Sequence, residues 1–227
     1  MDAAIEEVMG AVPGLSLLGA LFFTPLSDRN TAKLADFLND VASHLHDVSR
    51  DTSQIKEMLA SNDSLAPVLF RVLEHARKTE SVEKIQQLKN ILLNYCVTEN
   101  CQEDPDTYVE IASALSPLNA RVLHFYSRVK IKKLLRDLQG PIDFEFDGQP
   151  MYMHNYQSFL GQEMSKVGLF GTLVGAAVEQ LRTAGLLEFD DDYNAMWSTN
   201  PPTPVLTQLT DVGWKVLHLL LEPREAE

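Results

Sequence analysis

A dense group of positively charged residues in the second half of the chain is the first candidate for chemistry. Five cations stand within nine positions: Arg128, Lys130, Lys132, Lys133 and Arg136. Such a cluster can bind the phosphates of a nucleic acid or the carboxylates of an acidic partner, because it locally outweighs a negative field. The alternative is an amphipathic helix that pairs its cations with acidic neighbours and buries one apolar face, made of Ile131, Leu134, Leu135 and Leu138. This second interpretation needs no ligand.

The residues able to bind a metal have unsuitable spacings. His44 and His46 are two positions apart, so on a helix their side chains point in nearly opposite directions. Cys96 and Cys101 lack both the Cys-x-x-Cys spacing and a second cysteine pair. We therefore expect no metal site. One cysteine pair is also too little for a disulfide framework in a chain of this size, which favours a cytoplasmic location.

Residues arranged for catalysis or for cofactor binding are likewise not recognisable. The glycines Gly168, Gly171 and Gly175 match neither a phosphate-binding loop, which needs a Lys-Ser/Thr pair, nor a dinucleotide fingerprint. Close packing of a helix explains them better. The sequence contains no spacing typical of a nucleophile elbow, a dyad or a triad. We predict that the protein is not an enzyme and binds no cofactor.

The N-terminal segment 1–30 is strongly apolar. Residues 8–26 carry no charge and approach the length of a minimal membrane span, but Pro13 interrupts them. We expect a buried or interfacial helical hairpin that caps the helical core. The alternative is peripheral docking to a membrane or to a partner through large apolar side chains. These side chains are Leu17, Leu18, Leu21, Phe22 and Phe23.

The overall composition is that of an acidic globular protein. Of the 227 residues, 45% are hydrophobic and 22% are charged, and the formal net charge is −13. Nucleic acids and anionic membranes are themselves polyanions, so this charge disfavours general attraction to either. We expect a protein partner or a homo-oligomer instead.

Residues 31–115 have the pattern of a helical domain. Apolar residues recur at spacings of three and four over residues 34–48. Ser64 and Ser81 are candidate N-caps of two further helices, which a short joint would hold side by side. A short helix is expected over residues 105–114, because proline suits the first helical position.

The pattern changes at Ser116-Pro117, a cap-and-first-position signal at which we expect a domain boundary. Beyond it the sequence predicts a helix over residues 118–138, a strand over 142–146 and a turn at Asp147-Gly148. The segment 152–160 fits either a helix or an extended chain. Further elements are an apolar helix over 167–184 containing Gly171 and Gly175, and a C-terminal stop at Gly185 that leads into a strand. A return strand over 205–210 and a closing helix over 211–221 follow.

This order of elements, together with the ending Leu209-Thr210-x-x-Gly213-x-x-x-Leu217, resembles the winged-helix fold over residues 116–222. Winged-helix modules commonly bind DNA, but the wing expected here carries Asp190, Asp191 and Asp192 where DNA-binding members usually place basic residues. The helix that would read DNA is nearly uncharged. The resemblance therefore implies the fold, with protein contacts as its use.

The whole chain also resembles uncharacterised bacterial helical proteins of the Abi-alpha kind, which are linked to abortive phage infection. The similar features are the glycine- and proline-broken apolar N-terminus, the charged helix that follows it and the Gly185-Leu186-Leu187 and Leu209-Thr210-x-x-Gly213 ending. The resemblance implies a cytoplasmic component of bacterial antiviral defence.

The fold class predicted from the sequence is mainly α: an N-terminal helical bundle layer in residues 31–115, a winged-helix-like α+β module in 116–222 and a tail over 223–227. The predicted function is a non-enzymatic protein-interaction or self-association protein. Two alternatives remain open. One is a DNA-binding regulator that uses the basic cluster, and the other is a membrane-acting effector that uses residues 8–26.

Overall fold

The structure is a computed structural model. It describes residues 36–38, 40, 41, 43, 65–97, 105–133, 142–153, 156–189 and 207–221. These parts of the chain are mainly helical and include small antiparallel sheets, which confirms the predicted mainly helical class. The apolar segment 1–30 lies outside the described residues, and so do its candidate docking side chains. Among the described helices, none combines the length and the apolar character that a membrane crossing requires.

The described residues divide into two compact units. The first contains those up to Leu115 together with those from His218 onward, and the second contains Ser116–Leu217. Each unit has its own buried apolar side chains.

Four helices that the structure describes in the first part of the chain belong to the first unit. They are α1, of which residues 36–38, 40, 41 and 43 are described, α2 (Leu65–Lys78), α3 (Val82–Val97) and α4 (Pro105–Ala114). As predicted, α2 and α3 begin directly after Ser64 and Ser81, and they pack against each other across a three-residue joint. The core side chains of these helices include Phe37, Leu38, Val41, Val68, Leu69, Val72, Ala76, Leu88, Ile91, Leu92, Val109 and Ala112.

Two asparagines of α3 stabilise the end of the chain's last described helix. The Asn90 side-chain amide donates to the carbonyl of Leu220 at 2.9 Å. The Asn94 amide donates to the carbonyls of Leu219 and Leu221 at 3.2 and 2.7 Å. The last carbonyls of a helix have no partner within the helix, so these amides supply hydrogen bonds that water would otherwise provide.

Lys84 is a buried cation in the first unit. Its side chain is 8% exposed, and its ammonium donates to the carbonyl of Leu115, just beyond the end of α4. A cation at this end of a helix interacts favourably with the helix dipole. Burial nevertheless disfavours the charged form and lowers the pKa of Lys84 to about 8.

The second unit begins with α5 (Pro117–Tyr126), which is much shorter than the predicted helix over 118–138. The Ser116 hydroxyl caps this helix by accepting from the Asn119 amide at 3.1 Å. Strand β1 (Val129–Lys133) follows after a two-residue turn. The helical prediction for the basic cluster was wrong because branched Val129 and Ile131 alternate with lysines, a period of two that fits a strand.

Strand β1 belongs to a three-stranded antiparallel sheet in the order β1-β2-β3, with β2 at Ile142–Phe146 and β3 at Gln149–Met153. The predicted turn at Asp147-Gly148 is confirmed, and both residues have positive φ, 50° and 72°. An Asp-Gly pair tolerates this conformation and matches the twist of a hairpin. Within the segment 152–160, the first two residues complete β3 and a helix begins at Tyr156.

The remaining elements are α6 (Tyr156–Lys166), α7 (Thr172–Thr183), β4 (Leu187–Phe189), β5 (Thr207–Leu209) and α8 (Asp211–Leu220). The prediction of one helix over 167–184 was wrong at its start, since residues 167–171 form a turn. Gly168 and Gly171 have φ values of 73° and 86°, which a helix cannot contain. The stop predicted at Gly185, with φ of 71°, is confirmed.

Strands β4 and β5 pair antiparallel, with Leu187 opposite Leu209. The Thr210 backbone amide donates to the carbonyl of Leu186 at 3.1 Å. The Thr210 hydroxyl donates to the carbonyl of Gly185 at 2.7 Å and accepts from the Gly213 amide at 2.9 Å. The Leu-Thr-x-x-Gly sequence therefore caps α8 and joins it to the residues before β4.

Candidate functional site

An exposed apolar surface lies at the connection between α6 and α7. Val167, Phe170 and Leu173 are 45%, 72% and 72% exposed. We call these three residues the apolar turn. They stand within seven positions of the chain, across residues 167–171 and the first turn of α7.

The backbone of this turn is held by a helix-ending motif. The Gly168 amide donates to the carbonyl of Ser165 at 3.1 Å, and the Leu169 amide donates to the carbonyl of Met164 at 2.9 Å. These two bonds, with the left-handed Gly168 between them, form a Schellman motif. Leu169 is buried, so it anchors the turn while its neighbours Val167 and Phe170 face solvent.

A further hydrogen bond connects the apolar turn to α5. The Arg121 guanidinium donates to the carbonyl of Val167 at 3.2 Å. Farther along α7, Asn119 of α5 donates to the side chain of Gln180 at 3.0 Å. The turn is thus positioned by α5 as well as by its own motif, so its apolar side chains are exposed on a defined backbone.

The exposed side of α7 next to the turn is uncharged for two helical turns. Thr172, Gly175 and Ala176 are exposed, and the first charged residue of the helix is Glu179. Glu179 faces Arg182 at 3.7 Å. This surface therefore offers apolar and small side chains without the negative charge that dominates the chain as a whole.

A second feature is a groove of about 800 Å³ in the same unit, between β1, β5 and the start of α8. Its charged lining residues are Arg128, Lys130, Glu145, Asp147, Glu188 and Asp211. Trp214 of α8 also lines it and is 42% exposed. The groove combines an accessible aromatic ring with charges of both signs.

Arg128 at one end of this groove is tightly bound to an acid. Its Nε and Nη2 donate to the Oδ1 and Oδ2 of Asp147 at 2.7 and 2.6 Å. Its Cζ also lies 4.4 Å from the ring centroid of Phe146. The hydrogen bonds from Arg128 hold the pKa of Asp147 below its usual value, and Asp147 raises the pKa of Arg128.

The register of the sheet brings two other members of the predicted basic cluster opposite acidic residues. Lys130 lies opposite Glu145, and Lys133 lies opposite Asp143. Lys132 is on the same strand, whereas Arg136 lies outside the described residues. Three of the five predicted cations thus belong to β1, and Arg128 directly precedes it. The cluster stands on a strand that pairs with acidic positions of β2, not on a helix face.

Sequence reasoning missed the apolar turn, and of the groove it singled out only Arg128 and Lys130. The pair Gly168 and Gly171 around Leu169 and Phe170 was the available signal for the apolar turn, because glycine favours the left-handed backbone that ends a helix. The groove depends on residues from distant parts of the chain, such as Lys130 and Trp214, so no local pattern indicates it.

Within the part of the chain that the structure describes, no group of three or more histidine, cysteine, aspartate or glutamate side chains could hold a metal ion. Comparison with protein-family models, with curated proteins and with solved structures gave no significant match to this chain.

Proposed function

We propose that this protein is a non-enzymatic interaction protein that self-associates through the apolar turn of Val167, Phe170 and Leu173. The exposure of Phe170 and Leu173, 72% each, is the observation that carries the proposal. Large apolar side chains together on a surface are characteristic of interaction sites, since removing them from water is favourable by about 25 cal/mol for each Å² buried.

A second copy of the chain is the occupant that the charges favour. With a net charge of −13, two copies repel each other over most approaches. The apolar turn and the first two turns of α7 present no charge before Glu179, so they can meet without that repulsion. In a two-fold dimer the same surface serves both partners, and an uncharged apolar surface is readily self-complementary.

The backbone also supports this role. The Schellman motif and the hydrogen bond from Arg121 order the turn before any partner arrives. Ordering in advance lowers the entropy cost of association. The apolar turn is therefore ready to bind without rearrangement.

We further propose a winged-helix-like arrangement for the second unit, used for protein contacts and not for reading DNA. The succession α5, β1, β2, β3, α6, α7, β4 and β5 contains the winged-helix order with the β2–β3 hairpin inserted after β1, and the antiparallel pairing of β4 with β5 supports the proposal as well. The acidic partners of Arg128 and Lys130 favour a protein role, since a phosphate would have to compete with them. We propose bacterial phage defence as the biological setting, which rests on the resemblance in the sequence.

The molar mass of the full chain, measured by light scattering, tests self-association. We expect a dimer at about 100 µM, a concentration at which interfaces of micromolar affinity are populated. The variant Phe170→Ser with Leu173→Ser should be a monomer with an unchanged circular dichroism spectrum. A matched control, Val82→Ser with Tyr152→Ser, removes two other exposed apolar side chains and should remain a dimer.

Two outcomes would contradict the proposal. One is a monomeric wild-type protein at this concentration. The other is equal dissociation of the control and of the turn variant, which would indicate nonspecific hydrophobic association instead of a defined interface.

A further inference from the structure

The groove beside Trp214 holds more negative than positive charge. Arg128 and Asp147 neutralise each other through two hydrogen bonds, and Lys130 lies opposite Glu145. Arg128 and Lys130 are the only cations among the described residues that line the groove, so the two further acidic residues, Glu188 and Asp211, give it a net negative charge. Glu188 accepts a hydrogen bond from the neutral Gln208 amide at 2.5 Å.

The aromatic ring and one of these carboxylates are neighbours on a single helix. Asp211 is the first residue of α8, and Trp214 follows three positions later. Residues at this spacing lie on the same side of a helix. The groove therefore presents a partly exposed indole, 42% accessible, next to carboxylate charge.

This combination has the chemistry of a cation site. Tryptophan is the aromatic residue that attracts cations most strongly. A guanidinium group suits such a site better than an ammonium, because it can stack flat on the indole while its N–H groups donate to carboxylates in its plane. The net charge of −13 adds long-range attraction for a positively charged partner.

We propose that the groove binds an arginine side chain of a basic partner protein, held between the indole of Trp214 and the carboxylates of Asp211 and Glu188. Strand β1 is an outer strand of its sheet and lines the same groove, so an extended segment of the partner has a surface to follow. This site is separate from the apolar turn, and it does not depend on self-association.

Fluorescence anisotropy of a labelled hexa-arginine peptide, titrated with the full chain, tests the site. We expect saturable binding in the range of about 10 µM. A hexalysine peptide of the same charge should bind about fivefold more weakly, since an ammonium cannot stack on the indole or bind in two positions. Binding should weaken between about 50 and about 300 mM salt.

Charge-matched variants distinguish binding at the groove from attraction by the net negative charge of the whole chain. Asp211→Asn with Glu188→Gln should weaken hexa-arginine binding about tenfold. The control Glu80→Gln with Glu83→Gln removes the same charge from exposed positions at the start of α3 and should change affinity less than about twofold. Trp214→Leu should weaken binding about fivefold and remove the preference for arginine over lysine. Circular dichroism verifies the fold of each variant, and Trp214→Phe replaces Trp214→Leu if the latter unfolds.

Equal weakening in the two charge-matched variants would overturn the proposal, because it would mean that the peptide follows net charge alone. Equal affinities for hexa-arginine and hexalysine in the wild type would overturn it as well. The same titration on the variant Phe170→Ser with Leu173→Ser should give an unchanged affinity, so a failure of self-association and a failure of this site are distinguishable.

Discussion

Gly213 of α8 lies directly against the carbonyl oxygen of Leu186. A Cβ added at position 213 would stand 2.2 Å from that oxygen and 3.1 Å from the carbonyl carbon. The contact involves backbone, which cannot rotate away. It lets α8 approach the residues before β4 closely enough for Thr210 to bond to both Gly185 and Leu186.

We therefore expect Gly213→Ala to destabilise the protein by about 2 kcal/mol or more, as overpacking of a closely packed site does. Helix propensity alone would favour alanine over glycine by about 1 kcal/mol. The predicted loss of stability is therefore opposite in sign to the effect of helix propensity. Urea unfolding followed by circular dichroism measures the difference.

Gly161→Ala is the matched control for this prediction. Gly161 also lies within a helix, α6, but an added Cβ there has nothing within 4 Å. We expect a gain of about 0.5 to 1 kcal/mol from helix propensity. Similar effects of the two substitutions would show that the close contact at Gly213 is relieved by small shifts.

A second prediction concerns Tyr156, whose ring packs edge to face against Phe144 at a centroid distance of 4.8 Å. Its hydroxyl is buried beside Thr207, and among the described residues it has no hydrogen-bond partner of ordinary geometry. Burial raises the pKa of this hydroxyl well above its usual value. Removing a buried polar group without a partner is neutral or favourable, so Tyr156→Phe should change the free energy of unfolding by between zero and about +1 kcal/mol.

Tyr156→Leu tests the ring separately from the hydroxyl. It should destabilise the protein by about 2 kcal/mol, because the edge-to-face contact is lost and a cavity remains. A loss of about 1 kcal/mol or more in Tyr156→Phe would mean that the hydroxyl is bonded in solution.

The helices with clear caps were predictable from the sequence, and the strand β1 was not. Ser116 followed by Pro117 determines where α5 begins, and this local chemistry is readable in one sequence. The end of α5 at Tyr126 depends on the pairing of Val129 with Phe146, seventeen positions later. Residues such as Ile131 fit a helix or a strand until the partner strand is known.

The candidate sites were predictable to a smaller extent for a related reason. The basic cluster was evident as composition, but its acidic partners come from β2, and only the register brings Lys130 opposite Glu145. The exposure of Phe170 and Leu173 contradicts the usual preference of such residues for a core. Sequence patterns assign apolar residues to the core by default, so an apolar surface is the feature they miss most readily.

A third prediction follows from the lowered pKa of Lys84, about 8 in the folded protein against 10.5 as its ordinary value. The unfolded chain binds this proton more tightly, so the burial penalty applies in full below about pH 8. Between about pH 8 and pH 10.5 the penalty is relieved, and stability should rise relative to a variant without the ionisable group.

Urea unfolding of the wild type and of Lys84→Met across this pH range measures the effect. The difference in unfolding free energy should move in favour of the wild type by about 1 kcal/mol or more, since each pKa unit corresponds to about 1.4 kcal/mol. The control Lys78→Met removes an exposed ammonium that pairs with Glu74 on the same helix, and its difference from wild type should change less across this range than that of Lys84→Met. If the difference in unfolding free energy between the wild type and Lys84→Met did not change with pH either, the result would contradict the burial of the Lys84 ammonium.

The last prediction concerns the Arg128–Asp147 pair at the end of the groove. Both side chains are partly exposed, but two hydrogen bonds at 2.7 and 2.6 Å fix the geometry. A double-mutant cycle with Arg128→Ala and Asp147→Ala should give a coupling free energy of about 0.5 to 1 kcal/mol, the upper part of the range for exposed ion pairs. Because the pKa of Asp147 is lowered from 3.8, the coupling should persist at pH 5 and disappear as the pH falls through the folded pKa of Asp147. A coupling that is already absent at pH 7 would mean that the cation of Arg128 is available to an outside anion, and it would reopen the phosphate-binding interpretation of the basic cluster.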